Sequence, residues 1–174
     1  MNTLRCCRPL SRHAASLARQ QRRLLASDAP TLYTATATTQ GPRGGQIDGS
    51  EGFQSAYAMP KALGGPGGQQ KTNPEELFAA GYSNCFSVAM NLAANSMKVR
   101  LPRQIEDCQV KAVVDLIGDI RKMDMGFKVG LEVRVKGIEQ GELEAIVQKA
   151  KEICPYHRAT HAQVETNIRV FSVQ

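Results

Sequence analysis

The longest helical pattern in this chain lies at residues 73–96, which read NPEELFAAGYSNCFSVAMNLAANS. Asn73 is a preferred N-cap residue, Pro74 suits the first helical position, and acidic residues follow in the first turn. We therefore predict a helix from Pro74 to about Ser96. Apolar residues occupy several of its faces, among them Phe78, Ala79, Ala80, Cys85, Val88, Ala89, Met90 and Leu92. A helix that is apolar nearly all round is typical of the centre of a fold.

The residues before this helix favour strands and turns. LYTATATT (31–38) alternates and is rich in β-branched residues, which predicts a strand. GPRGGQIDGS (41–50) predicts a Gly-rich turn, and GFQSAYAM (52–59) predicts the returning strand of a hairpin. PKALGGPGGQQKT (60–72) predicts a flexible loop.

The residues after the helix predict three strands and a second helix. QVKAVVDLIG (109–118) and FKVGLEVRVKG (127–137) favour two strands joined by a polar turn. GELEAIVQKAKEI (141–153) predicts a helix that Pro155 ends, and VETNIRVFSV (164–173) alternates as a last strand. The predicted order ββ-α-ββ-α-β is that of an α+β domain with mainly antiparallel pairing.

Length and charge exclude several classes of protein. A chain of 174 residues suits one domain, and it contains no apolar run of the roughly 18–20 residues that span a bilayer. The net charge of +6 is confined to residues 1–27, which hold six Arg and no acidic residue. The remainder carries 16 basic and 16 acidic residues, so the charge gives no indication of nucleic-acid binding.

The first residues, MNTLRCCRPLSRHAASLARQQRRLLAS, are rich in Arg, Ser, Ala and Leu and lack acids. This composition is typical of a mitochondrial transit peptide, and the alternative is a disordered basic tail. We expect residues 1–28 to be a disordered transit peptide, residues 29–174 to form the domain, and the mature protein to lie in the mitochondrion, in the matrix. Cys6 and Cys7 would be removed with the peptide.

Three cysteines remain in the predicted domain: Cys85, Cys108 and Cys154. The matrix is reducing, so structural disulfides are not expected there. Free cysteine is also among the most buried residue types, so each of the three can equally be inert core. Cys108 is interpreted as structural.

The segment TNPEELFAAGYSNCF (72–86) resembles the signature helix of the OsmC/Ohr family, the organic hydroperoxide resistance proteins. Three further stretches are similar to that family in the same order: Arg43 in its Gly-rich turn, PKALGGPGG (60–68), and ICPYHRAT (153–160). The resemblance covers roughly residues 31–173 and is closer to the Ohr branch. It implies antiparallel sheets wrapped around two central helices in an intertwined homodimer.

The resemblance also implies a cysteine-based peroxidase for organic hydroperoxides. In that assignment Cys85 is the peroxidatic thiol, Cys154 is the resolving thiol, and Arg43 with Glu75 activates Cys85. The thiolate would attack the O–O bond and become a sulfenic acid, which Cys154 would convert to a disulfide. The reductant implied is a dihydrolipoyl group on a lipoylated partner protein, served by lipoamide dehydrogenase, with no bound cofactor.

The position of Cys85 in the helix limits how it can be activated. It lies about 16 Å beyond Pro74, out of reach of the helix dipole, so a fixed cation is needed and Arg43 is the candidate. Glu75 and Cys85 would be about 15 Å apart along a straight helix and on different faces. Either the helix begins later than Asn73, or the site combines residues of two chains.

Five apolar residues can line a substrate pocket or simply belong to the core, namely Met59, Leu63, Phe78, Tyr82 and Phe86. Two histidines follow Cys154, with His157 at a position where the family commonly has Ser. Together with Cys154 they supply three of the four ligands of a closed zinc site, so we expect no metal site. The alternative function is a non-catalytic, redox-responsive or hydrophobe-binding dimer on the same scaffold.

Overall fold

The computed structural model describes residues 30–173, so the predicted transit peptide lies outside the described residues. Helix α1 spans Pro74–Ser96, as predicted from its caps. The side chain of Asn73 accepts a hydrogen bond from the backbone N–H of Glu76 at 2.8 Å, which satisfies one of the free N–H groups of the first turn. The predicted bounds of this helix are confirmed.

Only one face of α1 is buried within the chain. That face carries the side chains of Tyr82, Phe86, Ala89, Met90, Ala93 and Ala94. On another face Val88 is 56% exposed and Leu92 is 54% exposed. The prediction of a helix enclosed on all sides is therefore not met by a single chain, because nothing in residues 30–173 covers these two side chains.

The buried face of α1 packs against a three-stranded sheet. Strand β4 (Cys108–Asp119) pairs antiparallel with β5 (Asp124–Lys136), and β5 pairs parallel with β6 (Glu165–Val173). Alternate side chains of β5 point into the core, and they are Val129, Leu131, Val133 and Val135. The period of two shows that one face of β5 is buried, and pairing with β4 and β6 places β5 at the centre of the sheet.

Two helices connect β5 to β6. Helix α2 (Gln140–Ile153) buries Leu143, Ile146 and Val147 against α1, as its 3.6-residue pattern predicts. Helix α3 (Pro155–Thr160) follows after one residue, Cys154. Pro155 lacks an amide hydrogen and restricts the backbone of the residue before it, so it ends α2 and starts α3.

The first sheet differs from the prediction. It has three strands in the order β1-β2-β3: β1 (Ala37–Gln40), β2 (Gly44–Gly49) and β3 (Gln54–Ala58). The predicted strand at 31–38 is wrong for most of its length, and β2 occupies the predicted turn at 41–50. Its sequence, GGQIDG, has low β propensity, and antiparallel partners on both sides hold it extended.

The segment 60–72 is held in place by backbone hydrogen bonds. Gly67 N–H donates to the carbonyl of Met59, Ala58 N–H donates to the carbonyl of Thr72, and Thr72 N–H donates to the carbonyl of Ala56. Within residues 30–173, no helix is long and apolar enough to cross a membrane. The α+β class is confirmed, with the parallel β5–β6 pair as the exception to antiparallel pairing.

Candidate active site

Two cysteine sulfurs meet where α1 passes the junction of α2 and α3. Cys85 lies on α1 and is half-buried, whereas Cys154 is completely buried. Both are free thiols, and the Sγ–H of Cys154 donates to Sγ of Cys85 at 3.4 Å. The contact joins residues 69 positions apart in the sequence. The structure thus brings together the two cysteines that were predicted to react with each other.

The surroundings of Cys154 raise its pKa to about 11. Burial is the largest cause and the neighbouring Cys85 also raises the pKa, while the backbone N–H of His157 lowers it. Cys154 therefore stays protonated at neutral pH and acts as donor in the S–H···S contact. The acceptor sulfur, Cys85, is the more exposed of the two.

An aromatic cluster surrounds the cysteine pair. Phe78 packs against Tyr82, Phe127 and Tyr156, with ring centroids 5.4–6.0 Å apart. Tyr82 and Phe86 are fully buried, so the structure places them in the core instead of in a pocket lining. Phe78 is half-buried at the edge of this core.

A cavity of about 310 Å³ lies elsewhere, between the first sheet, the start of α1 and the β4–β5 hairpin. The charged side chains in its lining are Arg43 and Glu75. Its apolar lining comes from Pro42, Tyr57, Met59, Pro60, Leu63, Pro74, Leu116, Ile120 and Met125. Two of the five predicted pocket residues, Met59 and Leu63, are therefore found beside the predicted charged pair.

Arg43 and Glu75 share this cavity without an ion pair. Nη2 of Arg43 donates to Sδ of Met59 at 3.7 Å. Oε2 of Glu75 is buried and has no hydrogen-bond partner among the described residues. A buried carboxylate oxygen without a partner is energetically costly, so this cavity has an unsatisfied acceptor next to a guanidinium group.

The position of Arg43 depends on a tight turn between β1 and β2. Gly41 has φ +102°, and a Cβ there would lie 2.3 Å from the carbonyl oxygen of Gly44. The hydroxyl of Tyr57, on β3, donates to the carbonyl of Gly41 and ties the turn to the sheet. The turn therefore requires a glycine at position 41 and holds Arg43 at the mouth of the cavity.

The cysteine pair and the charged cavity are separate within the chain. Neither Cys85 nor Cys154 lines the cavity. Because α1 begins at Pro74, Glu75 and Cys85 share one continuous helix and are about 15 Å apart along its axis. The alternative in which the helix begins later than its predicted start at the Asn73 cap is therefore excluded.

The other predicted residues take structural positions. His157 and His161 stack on each other, and residues 30–173 contain no group of three or more His, Cys, Asp or Glu side chains placed to hold a metal ion. Cys108 is half-buried at the start of β4, where burial raises its pKa. It borders a broad open groove of about 590 Å³ that does not include the cysteine pair.

Seven of the nine residues in the apolar lining of the cavity were not predicted from the sequence as pocket residues, among them Leu116, Ile120 and Met125. Leu116 lies on the inward side of the alternating pattern of β4, which is a detectable signal. Ile120 and Met125 flank the β4–β5 turn and carry no such signal, because their role depends on where that turn meets the first sheet.

The sequence profile of the OsmC-like protein family matches residues 66–169, a range that contains Glu75, Cys85 and Cys154. The organic hydroperoxide resistance protein of Xanthomonas axonopodis pv. citri is 36% identical over 147 residues, covering 83% of this chain and 98% of that protein. The chain belongs to the OsmC/Ohr family.

Other members support the same placement. OhrA, the organic hydroperoxide resistance protein of Bacillus subtilis, is 37% identical over 142 residues, which cover 80% of this chain and 96% of OhrA. The crystal structure of an organic hydroperoxide resistance protein of Legionella pneumophila superposes with a TM-score of 0.73 at 39% identity, covering 83% of this chain and all of that one. The OsmC/Ohr fold expected from the resemblance is thereby confirmed.

Proposed function

We propose that this protein is a cysteine-based peroxidase that reduces organic hydroperoxides to alcohols as an antioxidant defence. The observation that carries the proposal is the 3.4 Å contact between the free thiols of Cys85 and Cys154, in a chain whose relatives are named organic hydroperoxide resistance proteins. A scaffold protein needs neither sulfur at this place.

Cys85 is the peroxidatic residue in this proposal. Its thiolate attacks one peroxide oxygen, the O–O bond breaks, and the product alcohol ROH leaves after taking up a proton. Cys85 becomes a sulfenic acid. The greater exposure of Cys85 supports this order, because the completely buried Cys154 cannot meet a substrate from solvent.

Cys154 is the resolving residue. Its sulfur attacks the sulfenic sulfur of Cys85, the S–O bond breaks, and the hydroxyl group leaves as water with the thiol proton. The resulting disulfide protects Cys85 from further oxidation. The two sulfurs need to approach only from 3.4 Å to the roughly 2.05 Å of a disulfide bond.

Arg43 and Glu75 complete the site across an intertwined homodimer. They lie together in one cavity but away from Cys85 of their own chain, which supports a site that combines one chain's cysteines with the other chain's charged pair. The exposed Val88 and Leu92 on α1 support a partner chain packed on this helix. Arg43, oriented by Glu75, would stabilise the Cys85 thiolate and the peroxide oxygens.

The substrate class follows from the cavity that holds Arg43. Its lining is mainly apolar, and its volume of about 310 Å³ suits a small organic molecule. Alkyl and lipid-derived hydroperoxides bury an apolar chain there, and hydrogen peroxide has none to bury. The proposed preference is therefore for organic hydroperoxides.

The proposed reductant is the dihydrolipoyl group of a partner protein, which lipoamide dehydrogenase regenerates. Its two thiols reduce the Cys85–Cys154 disulfide and close to a cyclic disulfide, so electrons and protons balance. The Arg-rich residues 1–28 support a mitochondrial location, where lipoylated complexes reside.

Disulfide mapping tests the proposal. The full-length reduced protein is mixed with one equivalent of cumene hydroperoxide, quenched at intervals, and analysed by peptide mass spectrometry. We expect rapid loss of the hydroperoxide, a Cys85–Cys154 bridge, and an unmodified Cys108 as the internal control. Repeated turnover with dihydrolipoamide is the second expected result.

Two outcomes would overturn the proposal. If Cys85 remains a thiol while hydroperoxide persists, the protein is not a peroxidase of this kind. If the bridge forms but no dithiol supports repeated turnover, the non-catalytic, redox-responsive dimer replaces it.

A further inference from the structure

His157 connects the buried face of α1 to the resolving cysteine. Its Nδ1 lies 2.8 Å from the hydroxyl of Tyr82, and Tyr82 is completely buried. The imidazole ring also stacks on His161, with centroids 5.5 Å apart and planes 18° apart. The ring is therefore fixed by a hydrogen bond on one side and by a stacking contact on another.

The main chain of the same residue contacts the sulfur of Cys154. The backbone N–H of His157 donates to Sγ of Cys154 at 3.5 Å. His157 thus contacts the core through its side chain and the resolving sulfur of Cys154 through its backbone N–H. A side chain as short as that of serine could not replace a ring that spans the distance to Tyr82.

We propose that His157 is a positioning residue for the resolving step. Tyr82 fixes the ring of His157, and the fixed ring keeps the backbone N–H of His157 directed at the sulfur of Cys154. The N–H stays there while that sulfur attacks the Cys85 sulfenic acid. This inference rests on the proposed function. It assigns the Tyr82–His157 pair to disulfide formation and gives it no part in the reaction with the hydroperoxide.

The charges around His157 agree with a neutral, hydrogen-bonded ring. Burial lowers the pKa of His157, and the nearby His161 and Lys151 lower it further. From α1 it faces the hydroxyl of Tyr82, whose pKa is raised by burial. In the Nε2–H tautomer of the neutral ring, Nδ1 accepts a hydrogen bond from the Tyr82 hydroxyl.

The orientation of the His157 N–H group affects the resolving step. Cys154 must release its proton as its sulfur bonds to Cys85, and the hydroxyl of the sulfenic acid takes a proton and leaves as water. Burial opposes negative charge on Cys154, and the N–H of His157 is one of the groups that offset this. A displaced N–H would leave the developing charge without that stabilisation.

The test separates the two chemical steps in full-length variants. His157→Leu removes the acceptor of the Tyr82–His157 hydrogen bond at similar side-chain volume, and Tyr82→Phe removes the donor. His157→Asn keeps an acceptor near the position of Nδ1. Tyr156→Phe removes a hydroxyl of the same aromatic cluster that this bond does not use. Quenched-flow peptide mass spectrometry follows Cys85 oxidation and the Cys85–Cys154 bridge separately after one equivalent of cumene hydroperoxide.

We expect His157→Leu and Tyr82→Phe each to slow bridge formation by about five- to tenfold, the effect of weakening one charge-assisted hydrogen bond. Oxidation of Cys85 should keep its rate, and excess hydroperoxide should overoxidise Cys85 more often. His157→Asn and Tyr156→Phe should stay within about twofold of the wild type. The double variant His157→Leu/Tyr82→Phe should be no slower than either single one, because both remove the same bond.

The inference is overturned if His157→Leu or Tyr82→Phe forms the bridge at the wild-type rate. It is also overturned if His157→Asn is as slow as His157→Leu, since the hydrogen bond is then not the cause. If His157→Leu does not fold, the comparison of Tyr82→Phe with Tyr156→Phe tests the inference by itself. If the wild-type protein itself forms no Cys85–Cys154 bridge, the proposed function fails. Failure of the proposed function is therefore distinguishable from failure of this inference.

Discussion

The cysteine pair and the Arg43–Glu75 cavity are built in opposite ways. Cys85 lies on α1 and Cys154 lies between α2 and α3, where these helices pack in the core with the two sulfurs in contact. Arg43 lies in an exposed turn, and Glu75 carries a buried oxygen without a partner in the described chain. One region is complete within a single chain, and the other has unsatisfied groups.

The difference indicates a division of work between chains. A resolving thiol must stay beside its partner through every cycle, so a rigid core position within one chain suits it. An activating cation on a turn can meet the cysteines of a second chain. On the proposed function, each protomer supplies a whole thiol pair and half of the peroxide-activating environment.

The largest effect should come from removing the nucleophile. Cys85→Ser should lower hydroperoxide reduction more than about a thousandfold, because the other thiol of this site, Cys154, is completely buried and does not meet the substrate. Cys154→Ser should still consume one equivalent of cumene hydroperoxide and then stop. Stopped-flow consumption assays compare the two, and Cys108→Ser is the matched control with normal turnover. Equal loss in both site variants would contradict the separate roles of the sulfurs.

Mixing variants tests whether Arg43 acts across the dimer. Arg43→Ala alone should lower activity about a hundredfold, the usual effect of removing one preorganised donor. When Arg43→Ala and Cys85→Ser chains are unfolded and refolded together, mixed dimers regain one intact site, so about a quarter of wild-type activity should return. Refolding each variant by itself is the control. No recovery after mixing would place Arg43 and Cys85 in the same chain.

The Arg43 turn offers a smaller perturbation. Gly41→Ala should lower activity about tenfold and stability by about 1–2 kcal/mol, because φ is +102° and the new Cβ meets the oxygen of Gly44. Gly52→Ala is the matched control: its φ is +80° in open space, in the turn before β3. Gly52→Ala should lose less stability, because only the positive φ opposes the new Cβ, and should keep its activity. Denaturant unfolding and cumene hydroperoxide assays give both quantities.

The last prediction concerns stability against pH and no change in activity. Burial raises the pKa of Cys154 from 9.0 to about 11, so the protonated thiol is favoured in the folded state. The stabilisation is fully present below about pH 9 and is lost as pH rises towards 11, an amount of about 2–3 kcal/mol. Urea unfolding of the reduced protein at pH 8 and 10.5 should show a smaller decline in Cys154→Ala than in wild type. Identical declines would show that Cys154 ionises normally.

The first sheet shows where local sequence signals were insufficient. Strand β2 was predicted as a turn because Gly44, Gly45 and Gly49 have low β propensity, yet it pairs on both sides. β1 begins at Ala37, although the alternating pattern begins at residue 31, since residues 30–36 find no strand to pair with. Pairing partners decide such strands, and partners are not visible in a local pattern.

The sequence by itself determined the elements whose causes are local. Capping and periodicity were enough to predict α1, and Pro155 was enough to predict the end of α2. Alternation was enough to predict β4, β5 and β6. Each of these elements depends on neighbours a few residues away. Tertiary structure alone decided that Cys85 meets Cys154, that Tyr82 reaches His157, and that Arg43 and Glu75 share a cavity apart from the thiols. Those contacts join distant segments, and only the packing of helices on a sheet fixes which of them meet.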